Sequence, residues 1–192
     1  MLVITGPSGV GKGTLIRGLL QRLPGLELSV SATTRPPRPG EVDGRDYHFL
    51  SDDEFQRRVD RGEFVEHATY AGHRYGTLRS ELERPARGIV LEIDVQGARQ
   101  VRNALPEATQ VFIAPPSLEE LRRRLERRAA DTPEQIRQRL AVALAELAAR
   151  QEFAHVVVND DVRRALDELE RLAATIHPPG AGAEPPPGGE RT

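Results

Sequence analysis

The sequence predicts an α/β fold with a doubly wound, largely parallel sheet, and three observations support this prediction. Short apolar segments rich in Val and Ile show little polar alternation, which is typical of strands buried on both faces of a parallel sheet. Amphipathic helical segments lie between them, and a glycine-rich loop joins the first strand to the first helix. At a length of 192 residues, this alternation favours one domain.

The strands of the central sheet are predicted from the apolar segments themselves. Each is short, and turn-forming or helical sequence lies between them. The predicted strands are Leu2–Thr5, Leu28–Thr33, Ile89–Asp94, Gln110–Ala114 and Val156–Asn159.

The helices are predicted from apolar residues spaced three and four apart, and some of their starts from capping boxes. A Ser or Thr followed three residues later by Glu or Gln caps the first turn of a helix. The predicted helices are Gly13–Leu23 and segments around 118–125, 136–147 and 162–176, and the capping pairs are Ser51 with Glu54, Ser117 with Glu120 and Thr132 with Gln135.

Two regions break the alternation of strand and helix. Residues 34–84 are rich in turns, aromatic residues and charge, which predicts an inserted region of mixed α and β structure laid over one end of the sheet. Residues 178–192 are rich in Pro and Gly without large apolar side chains, so we expect a disordered tail after a domain at 1–177.

Composition excludes several classes of function. The chain has no Cys, which excludes disulfide scaffolds, thiolate metal sites and cysteine nucleophiles. Its formal net charge of −2 argues against binding to nucleic acid. Its apolar runs are far shorter than the ~20 residues of a membrane span, and its N-terminus lacks the pattern of a signal peptide. We therefore expect small-molecule partners, no membrane contact and a cytoplasmic location.

The strongest motif is Gly6-Pro7-Ser8-Gly9-Val10-Gly11-Lys12, directly after the first strand and opening a helix. This spacing is that of a phosphate-binding P-loop, in which glycines let backbone N–H groups point at phosphate oxygens and the lysine supplies a mobile cation. Lys12 is the single lysine among 27 Lys and Arg residues. Its retention in a chain that otherwise uses arginine supports a specific role on phosphates.

The residue after the lysine departs from the usual Ser or Thr. Here Gly13 follows Lys12 and Thr14 comes next, an ending that several nucleoside monophosphate kinases share. Direct ligation of Mg²⁺ by a side chain is therefore open: Thr14 is a candidate, and phosphates and water would hold most of the ion.

A second set of residues can bind a phosphorylated acceptor. Two guanidinium groups, Arg35 and Arg38, with the phenols of Tyr47 and Tyr75, can hold a phosphate dianion by charge-assisted hydrogen bonds. The carboxylate of Glu66 can accept from the adjacent N1–H and N2–H₂ donors of guanine, a donor pair that adenine lacks.

Several motifs at compatible spacings make the chain resemble the guanylate kinase family from Leu2 to about Leu172. They are Ser29–Glu41, Gly44–Phe49, Glu63–Glu66, Tyr75–Thr77 and Leu91–Gly97. The resemblance implies a P-loop nucleoside monophosphate kinase fold with an inserted GMP-binding region and a helical lid at about 124–139. It implies transfer of the ATP γ-phosphoryl group to GMP, with Mg²⁺, in purine nucleotide metabolism, and dGMP as a further acceptor. It also implies that Ser31, Thr77 and Asp94 complete the guanine pocket.

The same resemblance assigns the lid arginines. It implies that Arg124 and Arg139 clamp the transferring phosphoryl group and that Arg128 packs on adenine, near Asn159. This chain has Ala129 where the family usually has a glycine in the lid turn, which affects mobility and removes no charge.

Two alternatives stay open at this stage. A related kinase for another acceptor would keep the P-loop but lose the guanine readers Glu66 and Asp94. A guanylate-kinase-like scaffold domain would bind phosphorylated peptides and have a decayed P-loop, whereas Gly6–Lys12 is intact. The sequence leaves the oligomeric state as a monomer or a small homo-oligomer.

Overall fold

The computed structural model of the chain describes residues 1–126 and 133–176. No helix in this part is long and apolar enough to cross a bilayer. In chain order, its elements are β1 (Leu2–Thr5), α1 (Lys12–Arg22), β2 (Leu26–Leu28), β3 (Ala32–Thr33), β4 (His48–Phe49), α2 (Asp52–Asp60), β5 (Phe64–Tyr70), β6 (His73–Leu78), α3 (Arg79–Leu82), β7 (Gly88–Glu92), α4 (Val95–Ala104), β8 (Thr109–Ala114), α5 (Leu118–Glu126), α6 (Pro133–Ala148), a 3-10 turn (Ala149–Glu152), β9 (His155–Val158) and α7 (Val162–Ile176).

The central sheet has the order β2-β7-β1-β8-β9, and every neighbouring pair in it is parallel. Strand β1 lies in the middle, with Val3 opposite Leu91 of β7 and Gln110 of β8. The carboxyl ends of these strands therefore meet at one edge, where ligands of open α/β sheets bind. The predicted α/β fold with a central parallel sheet flanked by helices is confirmed.

The two faces of this sheet carry separate apolar cores because successive side chains of a strand point to opposite sides. Leu2 and Ile4 of β1 are buried against α1 and α7 on one face. Val3 is buried on the other face, against α4. Burial of consecutive residues of β1 explains why the strand shows no polar alternation in the sequence.

A second sheet, with the order β4-β3-β6-β5, is built from the turn-rich region after β2. It is mixed, since β3 runs parallel to β4 and antiparallel to β6. It has its own small core around Phe55 and Phe64, whose rings stack with centroids 4.5 Å apart. The prediction of a mixed α and β insertion at this place agrees with the structure.

The prediction of a single strand at Leu28–Thr33 was wrong, because the structure divides this segment between the two sheets. Residues 26–28 form β2 and pair with β7, and the amide of Ser29 still donates to Val90 O at 2.9 Å. The amide of Val30 then turns to the Glu81 carboxylate, at 2.8 Å, and the chain leaves for the second sheet. The pairing of β2 with β7 therefore ends at a hydrogen bond to a side chain far along the sequence, and no local sequence pattern predicts this.

Helices α3 and α4 were not predicted, whereas the capping pairs in the described residues were found. Ser51 Oγ accepts from the Glu54 amide at 3.2 Å and Ser117 Oγ from the Glu120 amide at 3.1 Å. Three of the predicted features lie outside the described residues or side chains: the Thr132–Gln135 capping pair, the lid-turn residue Ala129 and the tail 178–192.

Candidate active site

The loop after β1 has the backbone geometry of a phosphate cradle. Gly6, Gly9 and Gly11 have φ values of 136°, 86° and 102°, in a region that side chains disfavour. The neighbours also exclude a side chain: a Cβ on Gly6 would lie 2.3 Å from Ile113 O, and one on Gly11 would lie 2.6 Å from Asn159 Nδ2. The glycines of the motif therefore serve both the turn and the close packing of the loop on the sheet.

Lys12 opens α1 and folds back over this loop. Its Nζ donates to Gly6 O at 2.6 Å and lies 3.4 Å from Pro7 O. The ammonium thus sits beside the backbone that would surround donor phosphates. Gly13 lines the same cleft, whereas Thr14 is exposed, with Oγ1 3.5 Å from Arg17 Nη2.

A single cleft of about 460 Å³ runs from this loop to the second sheet. It brings together most of the predicted site residues and leaves Pro7, Val10, Thr14, Thr77, Arg124, Arg139 and Asn159 outside its lining. The predicted residues that line it are Gly6, Ser8, Gly9, Gly11, Lys12, Gly13, Ser31, Arg35, Arg38, Tyr47, Glu66, Tyr75 and Asp94.

The basic and phenolic residues lie together on the second sheet and on the connection between its strands β3 and β4. The Arg35 guanidinium lies 5.3 Å from the centroid of the Tyr47 ring, and the rings of Tyr47 and Tyr75 meet edge to face at 6.1 Å. Burial raises the pKa of Tyr47, so its phenol stays a hydrogen-bond donor at neutral pH. Glu41, which was not predicted as a site residue, pairs with Arg35 at 2.9 Å.

Glu66 on β5 is buried at the far end of the cleft, and only 4% of the residue is exposed. Thr77 Oγ1 donates to Glu66 Oε1 at 2.8 Å, so Thr77 touches the predicted base reader without lining the cleft itself. Burial raises the pKa of Glu66 to about 7, the Thr77 hydrogen bond opposes this, and the Asp94 charge adds to it. The carboxyl is thus poised between its two protonation states near neutral pH.

Asp94 has a structural role in addition to its place in the cleft. It follows β7 and caps α4, with Oδ1 accepting from the Gly97 amide at 2.8 Å. Gly97 in turn leaves room for Glu66, because a Cβ there would lie 2.5 Å from Glu66 Oε2. The start of α4 therefore places both predicted guanine readers side by side.

Of the predicted lid residues, Arg124 contacts the phosphate loop in this structure. Arg124 donates to Val10 O at 3.2 Å and to Asn159 O at 3.0 Å, and it pairs with Glu120. Asn159 Nδ2 also donates to Val10 O, at 2.8 Å. Arg139 lies on α6, and Arg128 is outside the described residues.

Sequence reasoning missed three carboxylates that line the cleft, Asp46, Glu92 and Glu146. Glu146 of α6 lies near Lys12 and the backbone amide of Ser8; burial raises its pKa, and both of those groups oppose the shift. Glu92 lines the cleft at the end of β7. No motif marks Glu146, since it is one polar residue on an amphipathic helix far along the chain from the loop.

The fold and the phosphate loop define the class of P-loop kinases. A family model described as guanylate kinase matches residues 1–175. The chain belongs to the guanylate kinase family.

Similar proteins agree with this membership. The chain is 55% identical to the guanylate kinase of Frankia casuarinae over 90% of this chain and 95% of that one. It is 50% identical to the guanylate kinase of Rubrobacter xylanophilus over 96% and 97% of the two chains. The crystal structure of guanylate kinase from Anaplasma phagocytophilum matches with a TM-score of 0.75 and 34% identity, covering 92% of this chain and 85% of that one. The activity of the chain is ATP-dependent phosphorylation of GMP to GDP, which makes it a kinase that uses ATP and a divalent metal ion.

Proposed function

We propose that the cleft holds ATP and GMP end to end, with the donor phosphates on residues 6–14 and the acceptor over the second sheet. The observation that carries this proposal is the continuity of the cleft from Lys12 to Glu66. One end offers glycine backbone and an ammonium group, and the other offers guanidinium groups followed by a buried carboxyl. This sequence of groups matches phosphates first and a base beyond them.

At the acceptor end, Glu66 reads guanine. Its carboxylate accepts from N1–H and N2–H₂ of the base, with Thr77 and Asp94 fixing its position and Ser31 at the pocket edge. Adenine places no donor pair there, so it would leave the buried Glu66 carboxylate without the two hydrogen bonds that guanine offers, which disfavours AMP.

The phosphate of GMP lies against Arg35, Arg38, Tyr47 and Tyr75. Two cations and two neutral phenols suit a dianion, and the arginine forks give it direction as well as charge. One oxygen of this phosphate attacks the ATP γ-phosphorus. No general base is required, because that oxygen is already ionised at neutral pH.

At the donor end, Lys12 and the backbone amides of the loop hold the phosphates of ATP. We assign Arg124 and Arg139 to the transferring group, and Arg128 and Asn159 to the adenine side. Phosphoryl transfer passes through a loose transition state with charge on its equatorial oxygens, so positioned cations supply most of the catalysis.

The metal ion is proposed to be Mg²⁺, brought in with ATP. The described residues contain no group of three or more His, Asp or Glu side chains that could hold a metal, which suits an ion ligated chiefly by phosphates and water. The Thr14 hydroxyl and, through water, the Glu92 carboxylate are the protein groups that would face it. The ion would supply neutralisation of charge on the β- and γ-phosphates.

We also propose a domain organisation, a cellular location and an oligomeric state. Residues 34–84 form the GMP-binding region of a domain at 1–177; the lid at 124–139 lies partly outside the described residues, and the tail 178–192 lies wholly outside them. We place the reaction in the cytoplasm, where free ATP and GMP occur, and expect a monomer or small homo-oligomer, which light scattering on a sizing column would establish.

An acceptor panel tests the function directly. ADP release by the purified chain is measured with ATP, Mg²⁺ and each of GMP, dGMP, AMP, UMP and dTMP in turn. We expect turnover with GMP and dGMP and little with the others. Activity confined to AMP or dTMP would overturn the guanine assignment, and GMP turnover that is unaffected by Lys12→Ala would overturn the donor assignment.

A further inference from the structure

The connection between β3 and β4 of the second sheet contains a carboxylate that contacts both arginines proposed to bind the phosphate. Glu41 Oε1 and Oε2 lie 2.9 and 3.0 Å from Arg35 Nη2. Glu41 Oε2 also accepts from the backbone amide of Arg38 at 2.7 Å. One side chain therefore fixes the head group of one arginine and the main chain of the other.

The surroundings make this arrangement rigid. The amide of Glu41 donates back to Arg38 O at 3.0 Å, so residues 38–41 form a turn that is closed in both directions. Gly40 at its tip has a φ of 89°, which suits the tight return. The side chains of Arg35 and Glu41 are only 10% and 20% exposed.

The pairing leaves Arg35 able to bind a ligand. Its Nη2 contacts both carboxylate oxygens of Glu41 and its Nη1 donates to Pro36 O at 2.8 Å, and a guanidinium group has five N–H donors in all. The remaining edge lies beside Tyr75 and over the ring of Tyr47. The hydrogen bonds from Arg35 and Arg38 hold the pKa of Glu41 below its usual range, so it is charged at neutral pH.

We propose that Glu41 is a positioning residue for the acceptor phosphate, holding Arg35 and the 38–41 turn in the geometry that receives it. This inference rests on the proposed role of Arg35 and Arg38. The alternative is that Glu41 competes with the phosphate for Arg35. Closure of the turn by the same carboxylate favours positioning, because displacing Glu41 would also release the backbone of Arg38.

The two roles predict opposite changes in the KM for GMP when Glu41 is replaced. A competing negative charge, once removed, would leave a more positive site and lower the KM for GMP. A lost positioning group would raise it, because ordering Arg35 and the turn would then draw on binding free energy.

The test compares Glu41→Ala and Glu41→Gln with a matched control, Glu63→Ala. Glu63 is in the same region and also pairs with an arginine, Arg61, but it does not line the cleft. We expect Glu41→Ala to raise the KM for GMP by roughly 10- to 100-fold with the KM for ATP within about twofold, and Glu41→Gln to be intermediate. Glu63→Ala is expected to match the wild type.

A double-mutant cycle separates positioning from general damage. In an Arg35→Ala background, Glu41→Ala is expected to have a much smaller effect on the KM for GMP, because one of its two partners is gone. Calorimetric binding of guanosine, which lacks the phosphate, is expected to be nearly unchanged by Glu41→Ala. If Glu41→Ala does not fold, Glu41→Gln gives the same readout.

An unchanged or lowered KM for GMP in both Glu41 variants, or full additivity in the cycle, would overturn the inference. These results are distinct from failure of the proposed function, which would appear as absence of GMP turnover in the wild type.

Discussion

At the scale of single residues, the protonation of Glu66 links guanine binding to pH. Its pKa is about 7 in the ligand-free protein, chiefly because of burial. Only the ionised carboxylate can accept both guanine donors, so below pH 7 binding of GMP must release a proton. We therefore expect the KM for GMP to be flat above pH 7 and to rise by up to about tenfold per pH unit well below it.

The control for this prediction is Glu66→Gln, assayed over the same pH range. The phosphate of GMP also titrates near pH 6, and this variant keeps that titration while lacking the carboxyl. It should bind GMP more weakly at pH 8, by about 1–3 kcal/mol, since its amide presents a donor to a donor. Parallel pH profiles in the two proteins would argue against Glu66 as the titrating reader.

The sole lysine gives the second prediction at this scale. Its Nζ lies 2.6 Å from Gly6 O, in a cradle that suits a compact ammonium group better than a planar guanidinium. Both Lys12→Ala and Lys12→Arg are therefore expected to lower kcat by roughly 100-fold or more, with GMP affinity little changed. Steady-state kinetics and GMP calorimetry would measure this.

Arg122→Ala is the matched control for Lys12. This arginine lies on an exposed face of α5 and pairs with Glu126 one turn on, at 2.8 Å. It is expected to leave kcat unchanged. Recovery of wild-type turnover by Lys12→Arg would show that the loop needs only a positive charge.

Which site residues could be predicted depended on whether their signal was local. The phosphate loop was predictable because six consecutive residues and a lysine carry the whole geometry. Glu41 and Glu146 were missed for a physical reason. Glu41 contacts Arg35 and the backbone amide of Arg38, and Glu146 lies near Lys12 and the backbone amide of Ser8. A single carboxylate has no spacing that distinguishes it from a solvated one.

At the scale of elements, the junction between the two sheets depends on Glu81. The chain crosses from the central sheet to the second sheet at residues 29–31 and returns through α3. Glu81 of α3 accepts from the Val30 amide at 2.8 Å and lies 2.9 Å from His48 Nε2 and 3.1 Å from Arg84 Nη1. Glu81 therefore links three parts of the chain: the segment that leaves the central sheet, the second sheet, and the helix α3 through which the chain returns.

We expect Glu81→Ala to lower the free energy of unfolding by about 1–3 kcal/mol, because the Val30 amide loses its buried acceptor. Urea denaturation followed by circular dichroism would measure it. Glu83→Ala, an exposed carboxylate two residues away, is the control and should change stability by less than about 0.5 kcal/mol. Equal losses in the two variants would contradict a specific role for Glu81.

The same junction explains the strand that was wrongly predicted. Residues 28–33 have a continuous β-prone sequence, and each end of this segment belongs to a strand, Leu28 to β2 and Ala32–Thr33 to β3. What divides them is the pairing of Val30 with a carboxylate 51 positions later. Local propensity therefore located extended structure correctly but could not assign it to a sheet.

At the scale of the whole molecule, the two sheets share one cleft. The central sheet carries the phosphate loop, and the second sheet has its own small core around Phe55. The second sheet is also held to α4, where Gln100 bonds the backbone of His67 at 3.1 and 2.7 Å. This contact and the Glu81 junction connect the second sheet to the rest of the chain.

Closure of this cleft follows from the chemistry of the reaction. Water that reached the γ-phosphate would hydrolyse ATP, so the site must exclude it when both nucleotides are present. In the proposed function, groups on the central sheet bind the phosphoryl donor and groups on the second sheet bind the acceptor. A ligand that binds both sides makes all of its contacts only in the closed state. It can shift the equilibrium toward that state only by the difference between its binding free energies for the closed and the open state.

We therefore expect a bisubstrate analogue, adenosine and guanosine joined by five phosphates, to lower the radius of gyration measured by small-angle X-ray scattering. A compact chain of this size has a radius of about 16 Å, so a small closure is measurable as a change in the scattering profile. GMP alone should give a smaller change. Arg35→Ala is the control, since it keeps the donor side and weakens the acceptor side. Identical profiles for the free and analogue-bound wild type would show that the two sheets do not move, and the reaction would then have to exclude water within the open cleft.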